Sequence, residues 1–498
     1  MSYALIGVKL VVTLFMTPIL VSSLGQEGYG LFVIVGAAAA YLYILDFGIN
    51  DSVLRFFVAH EDDHEARDGF LARMLALYTG LGGMVILVTL GMVGLAQPIF
   101  GRSLALDQIV VLETMILITG VGAAVLVAFN PLSALLSATE RFVFLRSLEI
   151  GASVISALVT VVLLKIGYGM VMVVSVMTAS MIVQVVVRLA YTLTRMRVRV
   201  RFQLPSIPEL HVVTGYAAPI FLSMIAEAIF WKLDNILIGA LIGTAPVAIY
   251  AIGVTFNKYL MSFSTAISRI MTPEIIRQVD AGADAVMLTG LMVRISRVQA
   301  LALSLILGGL IVFGQRFLTL WLGPDFALSY YVMLAVLCPY TLELMGNARN
   351  IILQVKGLYW HKSMITFAMA AINIPLTIVL LNTFGVIGAA ASTGIMVLVN
   401  YFLIAILLKR RVGLEMGLYW RETSRGILPI IAALVFAGLL GERFLPGGWL
   451  AFIGGVLVFT IVYILAMTKF AASAYERALL RQLLARLSLF SKGHKHTG

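Results

Sequence analysis

The chain has 498 residues, of which 61% are hydrophobic and 12% charged, with a net charge of +11. Soluble domains run near 45–50% apolar and about 25% charged, so a soluble fold is excluded: it has no interior large enough for this much apolar surface. One cysteine, Cys338, excludes an intrachain disulfide framework and a cysteine-rich metal site; within its apolar stretch it reads as a small buried hydrophobe.

Apolar segments of about 20 residues, enough to cross hydrocarbon, recur at 3–22, 29–50, 74–96, 109–131, 147–165, 169–191, 213–238, 246–268, 298–315, 328–350, 363–382, 386–408, 427–441 and 449–468. These fourteen spans are expected to be helices, because lipid offers the backbone no other hydrogen-bond partner. Span 1 starts almost at Met1, contains Lys9 and has no small-residue cleavage site before a polar domain, so it reads as a span and not as a signal peptide. With the N-terminus cytoplasmic, Lys and Arg number 25 in the cytoplasmic loops and tail and 4 on the opposite side. That bias predicts both termini in the cytoplasm. The positive charge is spread along loops in the manner of a membrane-surface protein, not a nucleic-acid binder. The tail, 471–498, sets Leu479, Leu480, Leu483, Leu484 and Leu487 among Arg477, Arg481 and Arg486, the pattern of a basic amphipathic helix lying on anionic lipid.

Leu24-Gly25-Gln26-Glu27-Gly28-Tyr29-Gly30-Leu31-Phe32, between spans 1 and 2, matches the pattern of Ile242-Gly243-Thr244-Ala245-Pro246-Val247-Ala248-Ile249-Tyr250, between spans 7 and 8, at an offset of 218. At the same offset Gly167 meets Gly385 and Gln97 meets Gln315. A duplicated six-helix unit is expected, 1–191 and 213–408, with the two copies parallel because six is even. Residues 427–468 add two helices outside the repeat. The fold class is therefore all-α and polytopic: two six-helix bundles plus two C-terminal helices, with a central cavity between the bundles.

Leu24-Gly-x-x-x-Tyr29-Gly30, then Leu45-Asp46-Phe47-Gly48-Ile49 and Arg55, then Asp234-Asn235-x-Leu237-Ile238-Gly239 leading to Tyr250, then Met271-Thr272-Pro273-Glu274, together resemble the polysaccharide-transport family. These are the O-antigen or polysaccharide repeat-unit flippases, of the superfamily that also holds lipid II flippases and multidrug and toxin extruders. The resemblance covers spans 1 to 12. It implies transport, not catalysis: movement of an undecaprenyl-pyrophosphate-linked oligosaccharide from the inner to the outer leaflet, with membrane lipids and other polysaccharide-assembly proteins as partners.

Ionisable groups inside spans cost roughly 2.5–3.5 kcal/mol on insertion scales, so each needs a reason. Lys9, Arg55, Lys258 and Arg349 come from spans 1, 2, 8 and 10, sample both bundles, and are expected to line the cavity and bind the pyrophosphate. For Arg55, Arg188 and Arg269 the alternative is snorkelling to the interface. The acids Glu227, Asp234, Asp46 and Glu343 are candidates for ion pairing or coupling. Glu227 and Asp234 are seven apart and so are expected on one helix face; either Asp234 pairs with Lys258 on the neighbouring helix, a structural role, or Glu227, its pKa raised by burial, binds a proton during the cycle.

His60-Glu61-Asp62-Asp63-His64 matches the zincin motif H-E-x-x-H. It lies in a polar loop beside Asp51, Glu65 and Asp68, so it reads as a solvated acidic loop and no metal is expected. With no P-loop or Gly-rich phosphate cradle, no nucleotide cofactor is expected either, and an ion gradient, membrane potential or product removal must drive transport. The alternatives are a cation-coupled multidrug extruder, against which the cations in the spans argue, and a polysaccharide polymerase or ligase, which the short external loops disfavour.

Overall fold

An amide that leaves a helix inside hydrocarbon forfeits several kcal/mol, and among the described residues the regular elements are all helices. The computed structural model describes residues 2–59, 64–198, 203–204, 206, 217–473 and 475–478. The helices in order are α1 Ser2–Ile44, α2 Asn50–Ala59, α3 His64–Phe100, α4 Leu106–Ala128, α5 Asn130–Ala138, α6 Phe142–Lys165, α7 Met170–Thr194, α8 Ala217–Ala228, α9 Asp234–Ile242, α10 Thr244–Asp280, α11 Ala285–Leu322, α12 Leu328–Met345, α13 Ala348–Val355, α14 Tyr359–Val412, α15 Met416–Ser424, α16 Ile427–Glu442 and α17 Trp449–Ala466. π-Helical turns, Ile229–Leu233 and Met467–Ala471, come directly after α8 and α17. Among the described residues nine helices are long and apolar enough to cross a bilayer, ten if α15 and α16, bent by 42°, form one span. The protein is a multi-pass, all-α membrane protein.

The fourteen predicted spans fall on these helices. Spans 1 and 2 share α1, which breaks at Gly25 (φ 70, ψ 176), and spans 11 and 12 share α14, which breaks at Gly385 (φ 61, ψ −146). A side chain at either φ would be strained, so glycine lets one continuous run turn back on itself. Three predicted spans are shorter than hydropathy suggests. Span 2 ends at Ile44 and continues as the turn Leu45–Ile49, with Phe47 at φ 54. Span 4 breaks after Ala128 and span 10 at Gly346–Asn347, each restarting as a short helix. The four H-E-x-x-H residues 60–63, residues 213–216 of span 7 and tail residues 479–498 lie outside the described residues.

The helices form two compact units, Met1–Ala251 with Thr366–Ser392, and Ile252–Ile365 with Thr393–Gly498. The core of the first includes Leu42, Val53, Phe70, Leu71, Tyr78 and Leu132. In the second, Leu288, Met292, Ile352, Leu353 and Leu408 form a core at one end, and Val312, Phe313 and Phe459 pack the extra hairpin α16–α17 onto α11. Two arginines of α11 fasten that hairpin. Arg297 pairs with Glu476 at 2.7 Å and donates to the carbonyls of Glu422, Arg425 and Ala471. Arg316 pairs with Glu442 at 2.7 Å and donates to the carbonyls of Glu442, Leu445 and Pro446. They lie nineteen positions apart, about 28 Å of helix, close to the hydrocarbon thickness of about 30 Å.

Candidate functional site

The first unit contains a carboxylate with almost no access to solvent. Asp234, 1% exposed, opens α9 directly after the π-helical turn. Tyr250 of α10 donates its hydroxyl to Oδ2, and Thr377 of α14 donates to Oδ1 at 3.4 Å. Thr377 shares a 2.6 Å hydrogen bond with Ser392, beyond the Gly385 break in the same helix. Asn235 and Asn373 are buried too, at 4% and 2% exposure. These two donors to the carboxylate are neutral hydroxyls, and the surroundings are oxygen-rich. Such a set suits a proton or a hard cation, not a transition metal; among the described residues no group of three His, Cys, Asp or Glu is placed to hold a metal ion.

The π turn corrects one expectation. An α-helical period puts Glu227 and Asp234 on one face, but a π turn inserts a residue and rotates the downstream helix by about 100°. Glu227 is exposed while Asp234 is buried.

Lys9 on α1, Arg55 on α2 and Lys258 on α10 are all exposed. Arg349 is not: at 1% exposure it is the largest fully buried side chain among the described residues. Its Nη2 pairs with Glu343, across the Gly346–Asn347 break, and its Cζ lies 4.4 Å from the centroid of the Tyr401 ring. Arg188, for which snorkelling is the alternative to a cavity role, is 9% exposed, donates to Ser133 at 2.8 Å and lies 3.8 Å from Glu149; an acid on α6 and a hydroxyl on α5 remove the need to reach the interface. Asp46, 8% exposed in the turn after α1, accepts from Asn130 at the break before α5 (3.2 Å) and ties two irregular segments together. Glu274, beyond span 8 and half-buried, has its carboxyl held below the usual carboxylate range by hydrogen bonds from Gln278 and Arg277. Cys338 is half-buried, not buried.

Thr377 and Asn373 of span 11 and Ser392 of span 12 join the site from spans that sequence reasoning treats as apolar throughout. Their one local signal is spacing: Asn373 and Thr377 sit at i, i+4, which puts both polar groups on one face.

A family model described as polysaccharide biosynthesis protein matches residues 3–278. No curated protein matches the sequence. Among solved structures, the fold resembles the lipid II flippase MurJ in an inward closed conformation, at TM-score 0.73 and 12% identity over 94% of this chain and 97% of that one. It also resembles a multidrug resistance MATE family transporter of the MOP superfamily in an inward-facing conformation, at TM-score 0.61 and 18% identity over 81% and 94%. A third is a MOP superfamily transporter from Pyrococcus furiosus, at TM-score 0.54 and 16% identity over 82% and 93%. At these identities the likeness is one of fold.

Proposed function

The chain belongs to the polysaccharide biosynthesis protein family, and from that membership we propose that it is a flippase for a lipid-linked oligosaccharide. It moves an undecaprenyl-pyrophosphate-linked glycan, of the O-antigen repeat-unit kind, from the inner to the outer leaflet of the cytoplasmic membrane by alternating access. The observation that carries this reading is the family match over residues 3–278, in a fold shared with a lipid II flippase along nearly the whole chain. Both termini are cytoplasmic in this reading, supported by the 25-to-4 distribution of Lys and Arg.

The two halves 1–191 and 213–408 are copies of one six-helix unit. The bounds of the helices support this at the same offset of 218. Gly25 and Gly243 both have positive φ, as do Gly167 and Gly385. The short helix after span 4 begins at Asn130 and the one after span 10 at Ala348; α7 ends at Thr194 and α14 at Val412.

Lys9, Arg55 and Lys258, exposed and cationic, contact the pyrophosphate, where a charge-assisted contact is roughly twice as strong as a neutral one. Arg349 is omitted from that set because its charge is already committed to Glu343. Asp234 couples transport to an ion gradient: its buried, hydroxyl-rich setting supports exchange of a proton or hard cation during the cycle.

Depletion of the protein in its native host tests the reading. The lipid-linked glycan should accumulate in the inner leaflet, out of reach of an external glycosidase. Normal appearance of glycan outside, or accumulation in the outer leaflet, refutes it. Asp234→Asn should reproduce the depletion with normal protein level.

A further inference from the structure

The second unit contains a cavity of about 480 Å³, within the range of small-molecule sites, whose lining includes none of Asp234, Lys9, Arg55 and Lys258. Along α11 its wall runs from Ala300 to Ile311 on one helix face, about 16 Å of depth. Opposite stands α16, from Ile427 to Val435. Two lining residues, Leu342 of α12 and Leu428 of α16, are 44% and 63% exposed. The slot therefore opens sideways between α12 and α16, into the zone of the hydrocarbon.

One end differs from the rest. There the lining passes to Tyr401, Tyr419 and Trp420. The Trp420 indole N–H donates to the Tyr401 hydroxyl at 2.9 Å, and the ring is 39% exposed. A tryptophan so placed suits the headgroup level of a bilayer. Next to it, Arg421 and Arg425 have side chains 74% and 76% exposed and share a single acid, Glu422, at 3.1 and 3.6 Å. One positive charge is left over at the end of an apolar slot.

We infer that this slot holds one hydrocarbon chain of an anionic bilayer phospholipid, with the headgroup against Arg421 and Arg425. An apolar channel open to hydrocarbon takes chain, because lipid supplies it and water gains nothing there. The order of apolar wall, interfacial tryptophan and exposed cations matches the order of chain, glycerol region and phosphate. Basic residues at a membrane surface attract anionic lipid.

The test uses the full-length protein in phosphatidylcholine nanodiscs doped with phosphatidylglycerol that carries a diazirine midway along one chain. After photolysis and digestion, label should concentrate in peptides covering 338–345 and 419–435. Ala432 lines the slot and is exposed, so Ala432→Phe fills the slot from its rim and should cut that labelling about tenfold. Ala433→Phe, at a neighbouring position that does not line it, should leave labelling unchanged. Arg421→Gln with Arg425→Gln should bring phosphatidylglycerol labelling down to that of a phosphatidylcholine probe. Label spread evenly over lipid-facing helices, or labelling undiminished by Ala432→Phe, overturns the proposal. So does competition by added polyprenyl phosphate but not by unlabelled phosphatidylglycerol, which would assign the slot to a carrier lipid.

Discussion

The guanidinium of Arg349 lies over the ring of Tyr401, with Cζ 4.4 Å from the ring centroid. On another side is Gly346, where a Cβ would stand 3.2 Å from Cζ. The carboxylate of Glu343, from the last turn of α12, completes the setting. Arg349 belongs to the first turn of α13, so the ion pair bridges the two sides of the break at Gly346–Asn347. From α10, Ser264 donates to the Leu344 carbonyl beside the break at 2.9 Å, and Gln299 of α11 donates to the Ser264 hydroxyl at 3.2 Å. A broken span in the membrane is thus secured by buried polar groups from neighbouring helices.

Arg349→Ala should lower the amount of folded protein as well as export. It strips Glu343 of its partner, and breaking a buried pair costs about 3–5 kcal/mol. Arg349→Met combined with Glu343→Leu, which removes both charges, should recover much of the thermal stability measured in detergent. A single variant as stable as the parent would show that the pair is energetically idle.

Gly346→Ala probes the same site without removing charge. The new methyl must displace a guanidinium held by a ring and a carboxylate, an overpacking cost of about 1–3 kcal/mol. Its melting temperature should fall, and Arg349→Ala in the same chain should add less than it does alone, because both substitutions act on one contact. Strict additivity would separate them.

Tyr250→Phe removes a hydroxyl donor from the buried Asp234 carboxylate, at a cost of about 1–3 kcal/mol. Export should then saturate at a lower concentration of the coupling ion, be it proton or hard cation, because the lost hydroxyl stabilised the ion-free carboxylate. Thr377→Val, acting through a longer 3.4 Å bond, should shift the requirement less. An unchanged ion dependence in both would remove this cluster from coupling.

The spans were legible because lipid imposes one rule on every backbone amide: a run of apolar residues such as 74–96 must be helix. The Gly25 and Gly385 breaks were legible as loops because glycine marks a positive φ. The breaks at Phe129 and Gly346 were not, since both lie inside apolar runs and depend on partners far along the chain, such as Asp46 for Asn130 and Ser264 for the Leu344 carbonyl. The π turn at Ile229–Leu233 leaves no mark on hydropathy, so the predicted shared face of Glu227 and Asp234 failed. Arg349 was expected to bind an anionic ligand; its acid, six residues earlier and beyond a break, becomes its neighbour only after folding.

Arg297 and Arg316 give two separable tests of how the C-terminal hairpin is attached. Arg297 has a side chain 12% exposed and serves three carbonyls and Glu476 at one end of α11. Arg316, 19% exposed, does the same with Glu442 and its neighbours at the other end. Each satisfies carbonyls that a helix end leaves open. Arg297→Ala should therefore speed amide hydrogen exchange around Met416–Ser424 and Met467–Ala471, and Arg316→Ala around 442–448. Each loss of about 3 kcal/mol corresponds to about a hundredfold faster exchange if local opening governs it. The effects should stay at their own ends and add in the double variant, because the sites are far apart and share no partner. Lysine at either position restores charge but not the planar fork that reaches several carbonyls at once, so Arg297→Lys should recover only part of the protection. Exchange that rises along the whole hairpin from either single change would mean that the two ends do not act independently, and that packing of Phe459 against Val312 and Phe313 depends on both.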